Sequence, residues 1–297
     1  MTDDRRTAVV TVVTDDFADG AVVLLKTFRR HHPDTDCSIV VLHNPEVARL
    51  SPVSMNLLRS TEPNIEFREV DLAAYERIAT QRDRVLKTPE RLLAAFVIID
   101  AFRLTDFDRV VCLDSDMLVL GPLDEILDSS AEFAAVTAVD EWTGEPRGYF
   151  NTGVMVIGRP HLTGETFHDI VSNTVMTSAD RERGKADQAV LNRYFETRPH
   201  DRLAQKFNVT KRMVPDTAGP LDALLRQLDA RILHFVGAKP WTVNWSERDW
   251  GYESAEALWI AEHLRGRLVA EVTSFFAARR TAILAGVGLV DAIPSGQ

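Results

Sequence analysis

An α/β domain with a largely parallel central sheet is what this sequence predicts, on three observations. Runs rich in β-branched residues alternate with segments of helical spacing from Ala8 to Gly158. Prolines and glycines punctuate that alternation. A chain of 297 residues, 45% hydrophobic and 26% charged, is long enough to bury a sizeable core as one large domain or two small ones.

Each element has its own justification. Residues 8–14 (AVVTVVT) are a β-branched run and form the expected first strand. Residues 19–32 (DGAVVLLKTFRRHH) carry helical spacing, and Pro33 closes the segment. SIVVLH at 38–43 reads as a second strand and the alternating NIEFREV at 64–70 as a third. A helix is expected from Pro89, with Thr88 as N-cap and the proline at the first helical position. Its body, LLAAFVIIDAF, is apolar nearly all round, which predicts burial. VVCLDSDMLVL at 110–120 follows as a buried strand, then EFAAVTAV at 132–139 and YFNTGVMVIG at 149–158. The Pro-Asp and Gly-Pro pairs within 212–232 mark a surface excursion. From Glu253 to about Leu289 the pattern turns helical. The expected organisation is one domain over 1–250 with a helical extension, 251–297, packed on it. Homodimer contact or membrane-surface docking through those helices stays open.

Charge and cysteine content narrow the function classes. A net charge of −10 argues against a nucleic-acid partner, because phosphate recognition needs a basic face. Cys37 and Cys112, the two cysteines, lie in apolar runs and are expected to be free thiols. The apolar stretch Thr7–Val13 is too short for a signal sequence or a membrane span, and no stretch elsewhere is long enough to span. The expected setting is the cytoplasm.

The run VVCLDSDMLVL raises the functional question. Two aspartates ending so apolar a run repel each other and lose hydration, so a positive partner is expected between them. In a strand, residues two apart face one side, so Asp114 and Asp116 converge while Ser115 points away. In a parallel sheet this is also where ligands bind, beyond the carboxyl ends of the strands. Two hard oxygen ligands suit Mg²⁺ or Mn²⁺, with a diphosphate and a nitrogen ligand completing the shell.

Four further stretches stand in order around it: TDDFADGA (14–21), FNTGVMVI (150–157), KADQAVLN (185–192) and HFVGAKPW (234–241). Together with LDSDMLV they make residues 8–245 resemble glycosyltransferase family 8, the retaining nucleotide-sugar transferases. The resemblance implies a single Rossmann-like domain of the GT-A type, a Mn²⁺ (or Mg²⁺) cofactor, a UDP-sugar donor and a small-molecule or glycan acceptor. It implies metal ligation by Asp114, Asp116 and His234, and phosphate contact by Gly237 and Lys239. The physics agrees: an imidazole supplies nitrogen, glycine admits close backbone approach, and lysine offers a point charge. Donor contacts are implied for Thr14, Asp15, Phe17, Ser115, Asn151 and Gly153, with Phe17 against the base and Asn151 against a sugar hydroxyl. Asp187 and Gln188 are implied at the reacting sugar, as the catalytic pair. Without the resemblance, Asp187 reads equally as a helix cap and Phe17 as a core residue.

The sequence departs from the family where a lysine or arginine commonly precedes the first aspartate by sixteen or seventeen residues. Ile98 and Val97 stand there, with Arg91 or Lys87 as substitutes. A tyrosine acceptor on the chain itself is not expected, because only Tyr194 falls between Gln188 and Asn208, too close to the Asp-Gln pair. Two other classes fit less well. A phosphatase of the haloacid-dehalogenase type would carry Thr or Val where Leu118 stands, on a first strand. A non-catalytic nucleotide-sugar-binding protein would not need the full Asp, Asp, His and Lys set.

Overall fold

The computed structural model describes residues 6–75, 77–78, 85–140, 145–184, 186–242 and 250–266. The β-branched runs pair as the inner strands of a seven-stranded sheet. β1 (Thr7–Val12), β2 (Ser38–His43), β3 (Glu66–Glu69) and β4 (Arg109–Leu113) are parallel, in the order β3-β2-β1-β4. β7 (Pro146–Gly158) then runs antiparallel to β4, β6 (Phe133–Val139) antiparallel to β7, and β8 (Asp201–Leu203) parallel to β6. A small second sheet has the order β5 (Met117–Val119), β10 (Ile232–His234), β9 (Val209–Thr210). The expected fold class is the observed one.

Alternation within the strands builds two cores. Ala8 and Val10 of β1 and Val110 and Cys112 of β4 face the core that holds Phe96–Phe102, while Val9, Val111 and Leu113 face the one packed by α1 (Ala18–His31). Both faces of β4 are therefore dry, which is why its sequence is apolar throughout. Cys37 and Cys112 are free thiols. α2 (Pro52–Thr61) starts on Ser51, whose hydroxyl accepts from the Ser54 N–H, with Pro52 in the first turn.

The sheet order also makes the site. The chain leaves β1 for β2 and β3 on one side and returns to β4 on the other, so strand order reverses at the β1–β4 pair. A crevice opens beyond the carboxyl ends of strands at such a point. Thr14–Phe17 and Asp114–Asp116 sit there.

Two expectations need correction, and a third lies largely outside the described residues. The run 110–120 is not one strand: the chain leaves β4 at Leu113, turns through Asp114–Asp116, and re-enters as β5 in the other sheet. Strand alternation therefore does not align the two aspartates; a turn does. The helix expected from Pro89 is wound with 3₁₀ geometry over Glu90–Arg103. Pro89 is its N-cap, because its extended ψ of 144° lies outside the helix while its carbonyl accepts from the Leu92 N–H at 2.9 Å. The helical pattern predicted up to about Leu289 is described only over α5 (Glu253–Leu264), since residues from 267 onward lie outside the described ones. A further helix, α4 (Leu221–Gln227), falls in the predicted surface excursion, and α3 (Asp187–Tyr194) opens on the predicted Asp-Gln pair.

α5 packs on α1 through buried Trp259 and an ion pair of Glu262 with Arg30 at 2.5 Å and with Arg265 at 2.8 Å. Burial works against the Glu262 charge, but Arg265 and Arg30 hold its carboxyl down at about 2, from an ordinary 4.5. A depressed carboxyl stabilises the fold above its unfolded value and loses that contribution as pH falls through the folded one. Solvent screens both arginines, so Glu262→Gln is expected to cost about 1 kcal/mol at pH 7. In thermal melts the gap to wild type should narrow below pH 4.5 and close near 2; a pH-independent gap would contradict this.

Candidate metal and nucleotide-sugar site

The turn at 114–116 meets β10 from the far end of the chain. β10 runs antiparallel to β5 with His234 opposite Met117, and the Phe235 N–H donates to the Asp116 carbonyl at 3.0 Å. This register carries the imidazole Nε2 to 3.2 Å from Asp116 Oδ1 and 3.5 Å from Asp114 Oδ2. One ligand atom from each of the three lies within 4.8 Å of the others. Asp116 and His234 are buried, while Asp114 stands half-exposed at the mouth of the cleft. Two hard carboxylates and one imidazole nitrogen on a shared gap fit a Mn²⁺ or Mg²⁺ ion, with open positions on the solvent side.

The electrostatics match that fit. Burial pushes the Asp116 carboxyl up, yet Lys239 and His234 together hold it well below the usual range. The Lys239 ammonium donates to Asp116 Oδ2 and, at 2.7 Å, to the Phe235 carbonyl. Burial also disfavours the charged His234 ring, but Asp116 and Asp114 outweigh it and raise the ring's pKa. The positive partner demanded by the two aspartates is thus shared here by a lysine and a histidine. Asp187, buried at the start of α3, is pushed up to about 7 by burial and by the Asp114 charge, against a hydrogen bond from Thr152. A carboxyl poised there can both donate and accept hydrogen bonds.

Behind the cleft runs a row of side-chain amides. His234 Nδ1 lies 2.9 Å from Asn208 Oδ1, and Asn208 Nδ2 donates to Asn151 Oδ1 at 2.7 Å. Asn151 Nδ2 donates to Gln188 Oε1 at 3.1 Å, and Gln188 Nε2 to the Arg183 carbonyl at 2.7 Å. Asn151 Oδ1 also accepts from the Gly153 N–H at 2.8 Å. The Asn151 amide is therefore engaged within the protein at both ends. No sequence signal marks Asn208, and only the pairing of β9 with β10 places it behind His234.

The remaining predicted residues divide. Phe17 stands 5.6 Å from the Trp241 ring, edge to face, and equally far from the Lys239 ammonium. The Trp241 indole N–H donates to the Asp16 carbonyl at 2.7 Å, which ties 14–17 to the 234–241 segment. Thr14 precedes the short turn Asp15–Phe17, and Ser115 is buried inside the aspartate turn. Gly237 has φ of 75°, the left-handed region that favours glycine. Asp15 turns away: its carboxylate accepts from the Ser51 N–H at 2.8 Å and the Ser54 hydroxyl at 2.7 Å, at the N-terminus of α2. Val97 and Ile98 are core residues, Lys87 is exposed, and the Arg91 side chain lies outside the described residues.

Comparison with known proteins agrees with this arrangement. A family model described as "Glycosyl transferase family 8" matches residues 8–244. Human Glycogenin-2 is 31% identical over 247 residues, spanning 80% of this chain and 44% of its own length. The chain thus covers less than half of that relative. Among solved structures, the galactosyltransferase LgtC in complex with donor and acceptor sugar analogues superposes with a TM-score of 0.57 at 20% identity, covering 90% of this chain and 99% of its own. The glycosyltransferase GlyE of Streptococcus pneumoniae gives 0.58 at 17%, covering 92% and 64%. At these identities the structural likeness concerns the fold. Among the described residues, no helix is long and apolar enough to cross a membrane.

Proposed function

This chain belongs to glycosyl transferase family 8, and from that premise we propose that it moves a hexosyl group from a UDP-sugar to an acceptor hydroxyl, with retention and with a divalent ion. The observation that carries the reading is the convergence of Asp114, Asp116, His234 and Lys239 at the point where strand order reverses.

Asp114, Asp116 and His234 would hold a divalent ion, which would supply charge to stabilise the departing diphosphate without a general acid. Lys239 turns from Asp116 toward the diphosphate and neutralises part of its charge. Gly237 lets backbone approach the same group. Phe17, beside Trp241, offers a ring face to the base. Asp187 and Gln188 face the sugar, with the Gln188 amide held between Asn151 and the Arg183 carbonyl. An inverting enzyme needs a base near the acceptor, opposite the leaving group. The polar groups assembled here are metal ligands, a phosphate lysine and sugar contacts, and that set favours retention.

Tyr194 is buried beneath Arg198, which argues against it as an acceptor on the chain itself. UDP with Mn²⁺ is expected to raise the melting temperature more than GDP or ADP with Mn²⁺. A ligand present at 100 times its Kd stabilises by about 2.7 kcal/mol. Equal shifts for the three nucleotides would remove the uracil assignment. An α-linked product from an α-linked donor, read from its anomeric proton by NMR, checks retention.

A further inference from the structure

Backbone polarity fixes the direction of every amide in the row behind the cleft. The Gly153 N–H can only donate, so the Asn151 atom 2.8 Å from it is the acceptor, Oδ1. The Asn208 atom facing that oxygen at 2.7 Å must then be the donor, Nδ2. This leaves Asn208 Oδ1 facing His234 Nδ1 at 2.9 Å, and an acceptor there calls for a hydrogen on Nδ1. The other end demands the same direction. The Arg183 carbonyl can only accept, so Gln188 points Nε2 at it and presents Oε1 to Asn151 Nδ2.

We infer that Asn208 is a positioning residue that carries the donor polarity of the Gly153 backbone through Asn151 to His234. It keeps the hydrogen on Nδ1, so that Nε2, which faces the Asp116 carboxylate at 3.2 Å, is the nitrogen left to ligate an ion bound there. The inference rests on the metal site in the proposed function. Asn208 is suited to the task because it is only 2% exposed, so solvent does not compete for its amide. Its backbone is pinned as well: its N–H donates to the Gln205 carbonyl at 2.9 Å, and its carbonyl accepts from Gln205 Nε2 at 2.6 Å. Partners on the far nitrogen of a ligating histidine commonly govern metal affinity in this way.

Calorimetric titration of Mn²⁺ into the full chain tests the role. Asn208→Ala is expected to weaken Mn²⁺ binding about 10–100-fold. Asn208→Asp should weaken it less than Asn208→Ala, because a carboxylate still accepts from Nδ1–H although it loses the bond donated to Asn151 Oδ1. Wild-type affinity in Asn208→Ala, or equal weakening in both variants, overturns the role of Asn208 and leaves the metal site standing. A wild-type chain that binds no Mn²⁺ overturns both. Should a variant fail to fold, ¹H–¹⁵N spectra of the histidine-labelled wild type saturated with Mg²⁺ read the tautomer directly. Hydrogen on Nδ1 is expected, and hydrogen on Nε2 overturns the inference.

Discussion

Asp116→Asn should lower sugar transfer about 10²–10³-fold and remove most of the Mn²⁺ affinity, the largest effect expected of any single substitution in this chain. The side chain keeps its shape, so the change is one of charge. Asp116 is 5% exposed and places Oδ1 against His234 Nε2 and Oδ2 against Lys239. An asparagine offers one neutral oxygen in place of two charged ones, and its amide nitrogen is no metal ligand. A bound ion would then keep one carboxylate, from Asp114 at the solvent edge, where water competes for it. Asp114→Asn should lose less for that reason. Chelation by EDTA should reproduce the Asp116→Asn loss in the wild type, and added Mn²⁺ should reverse it there alone. Full activity after chelation would defeat the metal reading.

Gly153→Ala is expected to have the next largest effect, through shape alone. A Cβ at this position would lie 2.8 Å from His234 Cε1 and 2.9 Å from both Asn151 Oδ1 and Asp114 Oδ2. Real Cβ atoms do not approach so closely, so something must move. Asn151 is held by three hydrogen bonds and His234 is buried, which leaves Asp114 as the group that yields. The methyl therefore pushes one ligand away from the other two. Mn²⁺ affinity should fall at least about tenfold, with overpacking costing about 1–3 kcal/mol of stability. Titration of Mn²⁺ and a thermal melt measure the two effects separately. An alanine variant with wild-type Mn²⁺ affinity would show that this glycine plays no part in ligand placement.

Much of this was legible in the residues. Burial on both sheet faces writes itself into a strand as a continuous β-branched run, so AVVTVVT, SIVVLH and RVVCL suffice to identify β1, β2 and β4. The pairing of two aspartates after such a run announced a cation, because an unpaired arrangement leaves their desolvation without compensation. The glycine of FNTGV could be noticed in sequence. Its reason, a triad of side chains pressed against its missing Cβ, could not.

The aspartate turn shows where local reading stops. Period-two logic placed Asp114 and Asp116 on one face of one strand, and they do converge, yet β4 and β5 belong to different sheets and a turn brings them together. Asp15 has the chemistry of a ligand contact but spends it on Ser51 and Ser54, because the β1–α1 connection passes the start of α2. Side-chain polarity at a fixed spacing was enough for the class of fold, the succession of strands and the chemical types at the cleft. It could not say which nitrogen meets which carboxylate, that Lys239 sits on Asp116, or that Asn208 stands behind His234. The first two depend on register between strands more than a hundred residues apart and the third on the pairing of β9 with β10, and register is set by the joint burial of whole faces, which no short stretch of sequence contains.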